Sequence, residues 1–139
     1  MFRERLTIIL GYPTILAMAL WALPAQAMTA EELETACREV DVITAPESDA
    51  RLPPFVFMKS YATAQRCLGF VDGFMSAVAV AQVIDPKAMS FCQPKKGISI
   101  DQARRIFLKY IAAHPEDLHW TAQTILTVAL TEVFPCKRP

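Results

Sequence analysis

The sequence predicts an all-α fold, a small disulfide-stapled bundle of about four helices after a cleaved signal peptide. Apolar residues recur at helical spacing in four separate stretches, and no alternating run is long enough to argue for a sheet. Four cysteines all follow an N-terminal export signal. An even cysteine count in an exported chain is best read as two disulfides.

The export signal comes first. Arg3 and Arg5 precede an apolar stretch, interrupted at Gly11 and Pro13, that ends at Leu23, and Pro24-Ala25-Gln26-Ala27 supplies an A-x-A cleavage signal. The unbroken part, Ile15 to Leu23, is short of the roughly 20 apolar residues of a spanning helix. Residues 1–27 therefore read as a signal peptide and 28–139 as a single soluble, periplasmic domain. No cysteine follows the cleavage signal closely, which argues against a lipoprotein. Losing Arg3, Arg5 and Glu4 from 14 basic and 14 acidic residues leaves a mature charge of −1. Such a balance offers no electrostatic footprint for nucleic acid.

Thr29 and Glu32 form a capping-box signature, and Leu33, Ala36, Cys37 and Val40 follow at helical spacing, so Cys37 points inward. From Ile43 to Met58 the pattern dissolves into Pro46, Glu47, Ser48, Asp49 and Pro53-Pro54, a long loop ending in helix-starting prolines. The second helix, about Lys59 to Val83, is apolar over most of its circumference. Cys67, Val71, Phe74 and Val78 cluster on one side, with a narrow polar strip of Gln65, Asp72 and Ser76. This pattern predicts a helix central in the bundle. Asp72, Ser76 and Gln82 make membrane insertion of the mature protein costly. Gly69 and Gly73, one turn apart, leave a shallow groove that is a packing feature first and a dimer seam second.

A second irregular stretch, Ile84 to Gly97, carries Lys87, Cys92, Lys95 and Lys96. Ser99, helped by Gln102, caps the third helix. Its inward stripe is Ile100, Ala103, Ile106, Phe107, Tyr110 and Ile111, with Arg105 and Lys109 outside and Leu108 on the opposite face. Pro115 can start the fourth helix, where a missing amide hydrogen costs nothing. That helix carries Leu118, Ala122, Ile125, Leu126, Ala129 and Val133 on one face, with His119 close to the stripe and Trp120 among Thr124, Thr127 and Thr131.

Cys37, Cys67, Cys92 and Cys136 contain no C-x-x-C pair, so disulfides are favoured over zinc. Three pairings are open. Inward placement on neighbouring helices favours Cys37 with Cys67, and placement at the edges of the last hairpin favours Cys92 with Cys136. Oxidised cysteines leave no thiol nucleophile, and His114 and His119 fall on different faces. Glu116 and Asp117 open a helix, where the macrodipole alone favours acids. No catalytic residue, metal or cofactor is expected. The residues point to a binding or structural role.

One ordered set of segments carries a resemblance. Cys67-Leu-Gly-Phe-Val-Asp-Gly73, Phe91-Cys92-Gln-Pro94, Ile100 to Tyr110 leading into His114-Pro-Glu-Asp-Leu-His119, Ala122, Ala129-Leu130 and Phe134-Pro-Cys136 together resemble the Rap/Tai family. Those are small periplasmic immunity proteins that protect bacteria against peptidoglycan amidases delivered by type VI secretion. The resemblance implies an all-helical, often dimeric protein that binds a secreted amidase and blocks its active-site groove. It does not identify the contact residues. The candidates are Lys87, Lys95 and Lys96 on the loop from Asp85 to Gly97, tethered through Cys92, then the loop from Pro46 to Phe57, and the outward face of Leu108 and Trp120. An acid-stress periplasmic chaperone of the HdeA type is the alternative, and it predicts opening and apolar exposure at low pH.

Overall fold

Thr29 starts the first helix as its spacing from Glu32 requires. Its hydroxyl accepts the Glu32 amide at 3.2 Å, and its own amide donates to the Glu32 carboxylate at 2.9 Å. The computed structural model describes residues 27–46, 52–86 and 90–136, and these hold four α-helices and no strand. They are α1 (Ala30–Thr44), α2 (Pro54–Ile84), α3 (Ile100–Ala113) and α4 (Ala122–Val133). The proposed signal peptide, apart from Ala27, and Lys87 lie outside the described residues. Thr29→Ala should cost about 1 kcal/mol, a typical loss for an N-cap hydroxyl, and urea denaturation measures it.

Two boundaries differ from the sequence reading. Pro53 is the N-cap of α2 and Pro54 its first residue, so the helix begins five residues before the expected Lys59 and absorbs the end of the long loop. Proline fits there because the first-turn amides have no helical partner. The fourth helix does not start at Pro115. Pro115–Asp117 form a single 3₁₀ turn, and α4 begins at Ala122, capped by Thr121 accepting from the Thr124 amide. The interruption has a partner. The Trp120 and Leu118 carbonyls accept the Ala30 and Glu31 amides at 2.8 and 3.1 Å, and the Ala122 amide donates to the Met28 carbonyl at 2.9 Å. First-turn amides of α1 are thereby satisfied by a segment that would otherwise have continued the helix.

Leu33, Val71, Phe91, Phe107, Ile111, Leu126 and Leu130 form the buried centre, with Cys37 and Cys67 among them. Cys37 bonds to Cys67 and Cys92 to Cys136, the pairing that helix placement favours. At 31 residues α2 is about twice as long as α1, with 15. It is not central. Only Ala64, Cys67, Val71 and Met75 are buried along it, and Phe74 and Val78 are half-buried, because its shorter neighbours cover one face alone. On α3 the buried set is Ala103, Arg104, Phe107 and Ile111. That face is broader than the expected stripe because α3 contacts all three other helices. Leu108, expected on the opposite side, is accordingly half-buried against the core.

Candidate functional site

The segment before α3 is held at several points. Phe91 is buried, pairs with Pro135 in an isolated bridge, and is followed by Cys92, whose amide donates to the Phe134 carbonyl at 2.9 Å. The Cys92–Cys136 disulfide closes the same junction. Beyond it, Pro94 to Gly97 make a tight turn in which the Gly97 amide donates to the Pro94 carbonyl at 2.8 Å. Gly97 has φ 74, a left-handed conformation that glycine adopts without steric penalty. Ile98 and Ile100 then return to the core. The turn displays Lys95 and Lys96, both exposed, on a short and fully anchored support.

Trp120 occupies the other end of the α3–α4 hairpin. It is 51% exposed, yet its backbone is fixed by the bond to Ala30 and by its amide donating to the Asp117 carbonyl at 3.0 Å. The 14 residues of α3 separate the two ends by roughly 20 Å at 1.5 Å per residue. The structure therefore separates the lysine turn from Trp120. Leu108 is half-buried against the core.

A residue that the sequence reading passed over joins α3 to α1. Arg104 is 3% exposed on the first turns of α3. Its guanidinium donates to the Cys37 carbonyl at 3.0 Å, to Asp41 at 2.8 Å, and to Asp101 at 3.0 and 3.2 Å. The Arg104 hydrogen bond holds the Asp41 carboxyl below its ordinary value; partial burial opposes this, and the charges of Arg104, Arg105 and Arg38 add to it. One side chain thus fastens the start of α3 to α1 beside the first disulfide. Its position was legible: residue 104 falls between Ala103 and Phe107 on the buried side, and Asp101 stands one turn ahead.

The histidines have local partners. His119 is exposed, not beside the α4 stripe, because the helix does not pass through it. Its Nδ1 donates to the Glu116 carbonyl at 2.8 Å, which leaves Nε2 without the proton in the neutral ring. His114 stacks on Tyr110 with ring centroids 4.5 Å apart. Desolvation, the hydrogen bond to Asp117 and the charges of Asp117, Glu132 and Glu116 push the Tyr110 hydroxyl up to about 12, so it stays protonated at neutral pH. All four cysteines are in disulfides, and no group of three His, Cys, Asp or Glu that could hold a metal occurs among the described residues.

A family model described as Rap1a immunity proteins matches residues 29–136, which span all four helices and both disulfides. No curated protein and no solved structure matches the chain.

Proposed function

The chain belongs to the Rap1a immunity proteins, and from that membership we propose that it binds and blocks a peptidoglycan amidase delivered by type VI secretion. The family match is the observation that carries this reading. Two disulfides suit an oxidising compartment such as the periplasm, where such a toxin meets its substrate. Lys95 and Lys96 supply the leading contact. A turn already fixed by Phe91, Cys92 and Gly97 loses little conformational entropy on entering a cleft, so more of its interaction energy appears as affinity. Two ammonium groups at its tip suit a groove lined by carboxylates or carbonyls.

Two measurements test the reading. The mature protein, residues 28–139, is mixed with a type VI peptidoglycan amidase from the same bacterium, and peptidoglycan cleavage is followed with and without it. Stoichiometric capture with loss of cleavage is expected; full cleavage without capture sinks the proposal. Lys95→Glu with Lys96→Glu should then weaken capture about ten- to hundred-fold and alter its salt dependence, with helicity unchanged. Undiminished affinity would move the contact elsewhere, with Trp120 the next surface to change.

A further inference from the structure

The two disulfides stand in opposite surroundings. Cys37 and Cys67 are both wholly buried in the core cluster with Leu33 and Val71, so no reagent reaches that bridge while the helices stay packed. Cys92 is exposed and Cys136 half-buried. Exchangeable sulfur sits at accessible positions with positive charge beside it, and Lys95 and Lys96, both exposed, follow Cys92 by three and four residues. Disulfide exchange is begun by a thiolate, which such charge attracts.

The exposed bridge also has a framework that outlasts it. The backbone pairing of Phe91 with Pro135, the bond from the Cys92 amide to the Phe134 carbonyl and the buried Phe91 ring hold both cysteines near each other without the sulfur bond. Opening is therefore local and can be reversed. What the covalent bond adds is a limit, since without it the start of the lysine turn is kept in place by noncovalent contacts that open and close.

We propose that Cys92–Cys136 is a thiol–disulfide exchange site for a dithiol partner, and a reversible catch on the turn that carries Lys95 and Lys96. One thiolate of the dithiol attacks the exposed Cys92 Sγ; a mixed disulfide forms, and Cys136 leaves as a thiolate that takes up a proton. The partner's second thiol, deprotonated, then attacks the partner's sulfur in the mixed disulfide. That step closes the partner's own disulfide and releases Cys92, which is protonated in turn. Two electrons and two protons pass from the dithiol to the bridge, and the reverse sequence with an oxidised partner restores it. A dithiol is the fitting class because its second thiol resolves the mixed disulfide within one complex, whereas a monothiol needs a second encounter. The exchange does not depend on which toxin the protein binds.

The test uses the folded mature protein, treated with dithiothreitol at neutral pH without denaturant, alkylated and mapped by mass spectrometry while circular dichroism follows the helices. Cys92 and Cys136 should be labelled roughly tenfold faster than Cys37 and Cys67, with helicity retained. Labelling of all four together, labelling of Cys37 and Cys67 first, or no label before the helices melt overturns the exchange site. Reduced, unlabelled protein given oxidised glutathione should regain the Cys92–Cys136 bridge, and failure to do so overturns its reversibility. Lys95→Gln with Lys96→Gln should slow reduction about threefold at low salt; an unchanged rate overturns the part given to the lysines. The catch is read by trypsin. Cleavage after Lys95 and Lys96 should be about tenfold faster in Cys92→Ser with Cys136→Ser than in the oxidised wild type, with cleavage after Arg38 in α1 as the internal reference. Equal rates at the turn, or an equal rise at Arg38, overturn the catch.

Discussion

Cys37→Ala with Cys67→Ala should lower the unfolding free energy by about 3.5 kcal/mol, read as a shifted urea midpoint. The figure follows from the loop that the bridge closes, 30 residues in separation, through the chain entropy restored to the unfolded state. Both cysteines are fully buried, and alanine leaves no unpaired polar atom at either site. The loss should therefore appear almost wholly as entropy of the unfolded chain, with the native far-ultraviolet spectrum retained wherever the protein remains folded. A change under about 1 kcal/mol would show that α1 and α2 already associate in the unfolded chain. Removing Cys92 and Cys136 opens a separation of 44 residues and should cost about 4 kcal/mol. That variant differs in kind, because it also releases the support of the lysine turn.

Arg104→Ala should cost about 2–3 kcal/mol. Breaking a buried ion pair usually costs about 3–5 kcal/mol, because the remaining charge is stranded. Here the stranded partners can hydrate: the Asp41 and Asp101 side chains are 64% and 51% exposed. What is lost is the packed stem and the charge-assisted hydrogen bonds joining α3 to α1. Arg104→Lys should recover only part of the loss, since one ammonium cannot reproduce a fork that reaches the Cys37 carbonyl and two carboxylates at once. The same clamp sets a pH dependence. Because Asp41 has its pKa lowered in the folded state from an unfolded value near 3.8, its contribution is complete above that value and is lost as pH falls through the depressed folded value. The contribution of Asp41 to wild-type stability should thus fall away below about pH 3.8, and Arg104→Ala should flatten that part of the curve. An unaltered acid limb in the variant would remove Asp41 from the account.

Much of the fold could be read from spacing because it is locally encoded. Thr29 with Glu32 and Ser99 with Gln102 act within a single turn, and the inward positions of Cys37 and Cys67 follow from helical period. The misread places depend on contacts distant in sequence. Pro115 is a sound helix start in isolation, but the amides of Ala30 and Glu31 need the carbonyls of Trp120 and Leu118, and that demand broke the helix. Arg104 was passed over, although its position was a core position; its partners Cys37 and Asp41 lie more than 60 residues away. The apolar circumference of α2 was taken as burial within one chain. Hydrophobicity specifies that a surface be covered, and the covering molecule is not written into it. For the candidate site, the lysine turn was legible from Pro94, Gly97 and the cysteine, whereas its distance from Trp120 required the direction of the hairpin.

The pairing of Met28 and Thr29 with the segment from Leu118 to Ala122 joins the two extremes of the domain. For a chain synthesised from its N-terminus, α1 emerges first and its leading amides have no backbone partner yet. The residues that satisfy them are among the last to arrive. A chain cut short before Thr121 would lose α4 and, with it, the far end that holds α1 in place.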